Sequence, residues 1–365
     1  MSRGYGERVA GLETLLADLE RLVTVESPSR DVEALTRSGE TLAGLIGERT
    51  GRPAQLVDGA DGPHVHWSGG GDPKVLILGH HDTVFPLGSL AVRPFRVVDG
   101  RAMGPGVFDM KAGIVQAIHA VAALDDHSGI EMLFTADEEV GAGTSRQLLE
   151  ARALACGAVL VLEPSFDGGA LKTGRKGTGT FEVIVHGRAA HAGLEPEKGI
   201  NALVEAAHQV LTINQFGDAS AGTTVTPTVA HVGTADNVVP AEARVFVDVR
   251  VTNADEQARV ERLMYGLTPM IEGTVIEMRG SVSRPPMPES ASATLFPLAQ
   301  QVDPTINGAS VGGGSDGNFT AALGVPTLDG LGAVGGGAHA DHEFVLIDTM
   351  PARVALLAGI LARLL

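Results

Sequence analysis

Between about residues 73 and 163, short continuous apolar runs alternate with segments of helical period. KVLILG, GIEMLFTA and GAVLVLEP read as buried strands, with KAGIVQAIHAVAAL and GTSRQLLEARAL as helices between them. Strands joined by helical crossovers make a mostly parallel sheet with helices on its faces, so an α/β fold is expected. The pattern then changes. GTFEVIVHG, TVTPTVAHVG, ARVFVDVRV and TVIEMRGSV read as strands, NALVEAAHQVLTIN and ADEQARVERLMYGLTPMI as helices. Their order, β-α-β-β-α-β, is that of a ferredoxin-like α+β unit. The proline-rich SRPPMPES marks the return to α/β signals. Residues 177–284 are therefore expected as an insertion that splits one α/β domain into 1–176 and 285–365. Ahead of both, Leu12, Leu15, Leu16, Leu19, Leu22 and Val23 form the apolar stripe of an amphipathic helix.

A chain of 365 residues exceeds what one simple core fills, in keeping with two domains. Hydrophobic residues at 44% and charged residues at 19% make a globular composition rather than a disordered one. The net charge of −17 argues against nucleic acid or an anionic membrane as partner, because both require basic patches. The single cysteine, Cys156, excludes internal disulfides, and within ALACGAVLVL it reads as a small buried hydrophobe rather than a nucleophile. The opening MSRGYGERVAGLETLLADLERLV is charged throughout and lacks a signal-peptide core. No apolar run is long enough to span a bilayer, and the chain reads as cytoplasmic.

The first of the apolar strands ends in GHHDTV. In an extended segment His80 and Asp82 point one way and His81 the other. The carboxyl edge of a parallel sheet is the usual ligand crevice. An imidazole whose tautomer is fixed by a neighbouring carboxylate is the form that binds metal. Asp109 follows the glycine-proline turn of GPGVFDMKAG, where capping a helix is the ordinary job of an aspartate. In TADEEVG, Asp137, Glu138 and Glu139 directly follow a strand, and three consecutive acids repel unless solvent or a cation neutralises them. VLVLEP runs four apolar residues into Glu163, which is awkward to bury unpaired. GGGAHADHEF carries His339, with Asp341 and His342 close behind. Singly, each has an ordinary structural explanation. Together they put histidine or carboxylate after strand upon strand at one expected edge. Two histidines and three carboxylates, with Asp109 able to bridge, supply the N/O ligand set for two Zn²⁺ ions, and Co²⁺ or Mn²⁺ would accept the same donors. Paired metals hold a bridging hydroxide and polarise a carbonyl. A carboxylate outside the ligand set must then carry the proton to the leaving nitrogen.

GHHDTV, GPGVFDMKAG, TADEEVG, LEPS, AAHAG, NVVPAEARVFVDVR, GGGSDGN and HADHEFV follow one another along nearly the whole chain. In these motifs the sequence resembles the M20 metallopeptidase family, in particular its glutamate carboxypeptidase (carboxypeptidase G2-like) branch, with acetylornithine and succinyl-diaminopimelate deacylases as relatives. The resemblance implies a zinc-hydrolase catalytic domain with an inserted lid and dimerisation domain that closes over the substrate, and hence a homodimer. It implies that His80 and Glu163 hold one zinc, that Glu139 and His339 hold the other, and that Asp109 bridges them. Glu138 would be general base and acid, and Asp82 would orient His80, leaving His81 outside the site. A cis Asp109–Met110 peptide is implied as well. His191 of AAHAG would reach the scissile carbonyl oxygen and stabilise the oxyanion, against its ordinary use as a turn-capping histidine. Asn237 and Arg250 would meet a substrate carboxylate, a task suited to a guanidinium fork. Arg175 and Lys176 of TGRKGTG would either join them or form a solvated hinge, while Gly314 and Ser315 would offer backbone and hydroxyl contacts. Glutamate rather than aspartate at position 163 goes with carboxypeptidases and deacylases in this family. The implied reaction releases an amino acid with a free carboxylate, from a peptide ending in glutamate or, second, from an N-acyl amino acid.

Three rival readings make different demands. GGSDG, Gly313 to Gly317, matches a G-x-S-x-G nucleophile elbow, with Asp329 and His339 following in serine-hydrolase order. That elbow needs an apolar strand directly before Ser315, whereas INGASVGGG is weak and glycine-rich. Nucleotide binding fails on detail, since Asp109 stands where the third glycine of G-x-G-x-x-G belongs and GRKG lacks a P-loop lysine-hydroxyl pair. A scaffold that has lost activity would show a broken ligand set, and this set is complete.

Overall fold

The computed structural model describes residues 10–365, so the first nine residues of the charged opening segment lie outside the described residues. Contacts divide the chain into two compact units. One comprises the residues up to Gly174, then Glu289–Val311 and Ser315–Leu365; the other comprises Arg175–Pro288 with Gly312–Gly314.

The first unit is built on a sheet containing β1 (Gln55–Val57), β2 (His64–Ser68), β3 (Val75–His80), β4 (Ile130–Thr135) and β5 (Val159–Val161). Its order is β1-β2-β4-β3-β5, closed by the short strand Thr327–Leu328. β4, β3, β5 and Thr327–Leu328 run parallel, while β1 and β2 are antiparallel additions at one edge. Both faces are covered, which is why the parallel strands read as continuous apolar runs rather than alternating ones. Ile77, Met132 and Leu160 pack on one face with α1 (Leu12–Val23), α2 (Val32–Thr50) and α3 (Ala112–Ala122), and with the C-terminal helix Met350–Leu364. Leu76, Leu78, Leu133, Val159 and Val161 pack on the other face with α4 (Arg146–Cys156). Gly113 lets α3 approach the sheet closely, because a Cβ there would lie 2.6 Å from the Leu162 carbonyl oxygen.

In the second unit, β6 (Gly177–His186), α5 (Ala202–Ile213), β7 (Thr224–Val232), β8 (Glu242–Val251), α6 (Ala254–Tyr265) and β9 (Val275–Arg284) follow the β-α-β-β-α-β order. The sheet is antiparallel with strand order β7-β8-β6-β9, the ferredoxin-like arrangement. Phe181, Val183, Val185, Val245, Val247 and Val249 form its core, with Ala202 and Ala206 from α5 and Val260 and Met264 from α6. Asn201 and Asn253 cap these helices, each side chain accepting backbone N–H groups of the first turn. The expected helix over ADEQARVERLMYGLTPMI stops at Tyr265, six residues early. Gly266 weakens it there, and Pro269 steers Thr268 away from helical geometry.

Candidate metal centre

His80 ends β3, and the parallel register pairs it with Thr135 at the end of β4. The β3–β5 register, in which Leu78 pairs with Val161, brings Glu163 to the same edge two residues on. Glu138 and Glu139 follow β4 in a single helical turn. Asp109 lies in the break before α3, where the backbone leaves helical geometry and the Asp109–Met110 peptide is cis. His339 occupies the loop of a hairpin between Gly335–Gly336 and Phe344–Leu346, with a left-handed φ of 63°. Five segments far apart in sequence thus meet at one sheet edge.

The geometry centres on Asp109. Its Oδ1 lies 3.2 Å from His80 Nε2, and its Oδ2 lies 3.3 Å from His339 Nε2. Glu163 Oε1 stands 3.8 Å from the same His80 nitrogen, and Glu139 Oε2 stands 3.1 Å from the His339 nitrogen. One donor atom each from His80, Glu138 and Glu163 lie within 4.8 Å of one another, as do donors from His80, Asp109 and Glu139. His80 Nδ1 lies 3.0 Å from the Asp82 carbonyl oxygen, to which it donates, so that in the neutral ring the lone pair is on Nε2, the nitrogen on the carboxylate side. The Asp82 carboxylate accepts the N–H groups of Glu138 and Glu139 at 3.2 and 3.3 Å and the Ser29 hydroxyl at 2.7 Å. His81 turns the other way into a buried pocket, its ring nitrogens on Ser38 Oγ and the Pro63 carbonyl.

Electrostatics follow from this crowding. Burial alone would depress the His80 imidazole, but its hydrogen bonds to the Asp109 and Asp82 carboxylates hold its pKa well above the ordinary value. Asp109 and Glu139 push His339 up to about 10. Burial opposes ionisation of Asp109, yet His339 and His80 hold its carboxyl below the usual range. His81, buried without a carboxylate partner of that kind, falls to about 4. A cation fits here on two counts. Five carboxylates, from Asp82, Asp109, Glu138, Glu139 and Glu163, crowd two imidazoles. Among the described residues, Glu139 Oε1 is also buried with no hydrogen-bond partner. Nitrogen and oxygen donors in this mixture suit zinc, cobalt or manganese.

Other expected residues stand as follows. Asp137 does not join the cluster or meet solvent: it is buried and its Oδ2 accepts the N–H and hydroxyl of Thr144 and the N–H of Ser145. His191 is exposed, and its Nδ1 accepts the Gly193 N–H at 3.1 Å, the turn-capping arrangement. Its neighbour Ala192 donates to the Asn237 carbonyl, so these two candidate loops adjoin. Arg250 closes its fork on Asp248, at 3.0 and 2.9 Å, rather than presenting it free. Arg175 is not solvated: it is buried and donates to the carbonyls of Gly313 and Gly314. Lys176 donates to the Gly222 carbonyl. Ser315 is fully buried, its hydroxyl donating to Asp329 Oδ2 at 2.7 Å. An elbow serine needs a histidine at that place, while His339 stands with Asp109 and Glu139.

Glu343 was not legible as a site residue. It is 2% exposed, and its carboxylate accepts the N–H groups of Gly106, Phe108 and Asp109 at 2.9, 2.7 and 2.8 Å. The available signal was a carboxylate placed directly before the apolar run FVL, a position that demands a buried partner.

Comparison with known proteins agrees with this architecture. Residues 76–363 match peptidase family M20/M25/M40. The chain is 33% identical to Carboxypeptidase G2 of Pseudomonas sp. (strain RS-16), over 95% of this chain and 88% of that one. It is 30% identical to a succinyl-diaminopimelate desuccinylase of Xanthomonas oryzae pv. oryzae, over 96% and 98% of the two chains. Among solved structures, an aminopeptidase from Bacillus cereus shares the fold with a TM-score of 0.78 at 20% identity, covering 98% of this chain and 99% of that one. A metallo-carboxypeptidase of family M20 from Sulfolobus solfataricus does so with a TM-score of 0.72 at 16% identity, covering 96% and 98%. Fold, centre and relatives together define a metal-dependent hydrolase. Within that class, the chain belongs to peptidase family M20/M25/M40.

Proposed function

We propose that this chain is a di-zinc amide hydrolase of the carboxypeptidase type, releasing an amino acid with a free carboxylate, with peptides ending in glutamate as the first substrates. The observation that carries the reading is Asp109, one carboxylate between two imidazoles at 3.2 and 3.3 Å. His80 and Glu163 would hold one zinc, Glu139 and His339 the other, and Asp109 both. Such a pair, when bound, supplies Lewis acidity toward an amide carbonyl and lowers the pKa of water toward neutrality. Glu138 takes the proton of the attacking water on a carboxylate oxygen and hands it to the leaving nitrogen. Asp82 sets ligand and base together, because it holds both His80 and the N–H groups of the Glu138–Glu139 turn. His191 is assigned to the carbonyl oxygen of the substrate, and Asn237 and Arg250 to its carboxylate, which would replace Asp248 on the guanidinium fork. Arg175, Lys176, Gly314 and Ser315 are assigned to the same carboxylate site. The likeness to Carboxypeptidase G2 supports the carboxypeptidase reading. The desuccinylase relatives favour a second one, hydrolysis of N-acyl amino acids. We assign the enzyme to the cytoplasm and to a homodimer formed through the ferredoxin-like unit. No helix of the described residues is long and apolar enough to cross a membrane.

The test is Glu138→Ala, assayed on a panel of dipeptides and N-acyl amino acids after metal reconstitution. Metal content should stay at the wild-type level while kcat falls by roughly 10²–10⁴-fold, the usual contribution of a general acid-base group. Undiminished turnover would take the proton-transfer role away from Glu138.

A further inference from the structure

The Glu343 carboxylate reaches into the Asp109 loop. Its Oε1 accepts from both Phe108 and Asp109, and its Oε2 accepts from Gly106. Three N–H groups converge on this buried acid because Gly106 takes a left-handed φ of 70° and the chain then breaks at Asp109. The same residue is tied to the other half of the centre. It lies four residues after His339, its own N–H bonds to the Ala340 carbonyl, and its Cα sits where a Cβ on Gly337 would be 3.1 Å away. Immediately after it, Phe344–Leu346 pairs antiparallel with Arg101–Met103, the strand that feeds the Asp109 loop. Backbone pairing thus brings the two loops side by side, and one carboxylate joins them at the point where Asp109 must span two imidazoles.

We propose that Glu343 is a positioning residue: by gripping the backbone of residues 106–109 from the hairpin that carries His339, it fixes the spacing between the bridging aspartate and the second histidine, and thereby the affinity of the second cation position. This rests on the proposed metal pair. Loss of a buried partner that orients ligands commonly lowers metal affinity by about 10–100-fold. Glu343→Gln keeps an oxygen for Phe108 and Asp109 but turns an NH₂ toward the Gly106 N–H, so it retains packing and loses one contact. Glu343→Ala loses all three.

A control for mere destabilisation exists in Glu205 of α5. This buried carboxylate also accepts backbone N–H groups, from Met270 and Ile271, within the ferredoxin-like unit. The experiment titrates metal-free wild type, Glu343→Gln, Glu343→Ala and Glu205→Gln with Zn²⁺ against a chelator. Titration with Co²⁺, read by its visible absorption, follows geometry separately from affinity, and circular dichroism verifies folding. Wild type and Glu205→Gln should bind two equivalents alike. Glu343→Gln should weaken the second equivalent by about 10-fold and alter the Co²⁺ spectrum, with the Ala variant, where folded, weakened further. Wild-type affinity and spectrum in folded Glu343→Gln would overturn the proposal, as would an equal loss in Glu205→Gln. Wild type that binds no metal at all would remove the metal-pair reading itself, and this inference with it.

Discussion

Cys156, the last residue of α4, lies in the core with Leu133 of β4 and Val159 of β5, its Sγ 3.8 Å from Glu131 Oε2. Burial and the Glu131 charge push its thiol up to about 12. Thiolate, the reactive form, is therefore suppressed at every physiological pH. Ellman's reagent at pH 8 should leave the native chain unlabelled over minutes and titrate one thiol per chain in guanidinium; fast labelling of the native protein would contradict the burial. Neighbouring residues of one type can likewise diverge. Asp137 is absorbed in holding Thr144 and Ser145, while Glu138 and Glu139, the next two residues, face the histidines. Repulsion between consecutive acids is relieved here by giving them different partners.

At the scale of elements, the parallel register of β3, β4 and β5 puts their carboxyl ends in one row, so ligands carried just beyond each strand converge without long loops. The close seating of α3 matters to the same row. Gly113 touches the Leu162 carbonyl region directly before Glu163, and the helix begins three residues after Asp109. Gly113→Ala forces a Cβ against backbone that cannot swing aside. Overpacking of this kind typically costs about 1–3 kcal/mol. Denaturant unfolding should show that loss, together with weaker Zn²⁺ binding, because the displaced segments carry Asp109 and Glu163. Unchanged stability would mean that α3 slides freely, contrary to the packing seen.

At the scale of the molecule, the described residues form three hydrophobic clusters, one on each face of the parallel sheet and one in the ferredoxin-like unit, in keeping with a chain of this length. The ferredoxin-like unit leaves apolar surface outside its core. Val204 and Leu211, seven residues apart on α5, are 43% and 66% exposed and share one helical face; Val229 on the edge strand β7 is 47% exposed. We propose that the homodimer formed through this unit covers this surface. Sedimentation equilibrium should give a dimer for the wild type and a shift toward monomer for Leu211→Glu. A monomeric wild type at micromolar concentration would exclude that assembly.

Local chemistry was enough to read the α/β unit, the inserted β-α-β-β-α-β unit and the polar residues that follow each buried strand. Apolar runs, periodicity and strand ends are properties of a few adjacent residues, and the parallel sheet then dictates where those ends go. Tertiary structure alone decided what each polar group met. It put Arg250 on Asp248, sank Ser315 onto Asp329, withdrew Asp137 from the cluster and brought Glu343 to the loop of Asp109. A hydrogen bond is fixed by which distant segment arrives within about 3 Å, and no short window of residues contains that information.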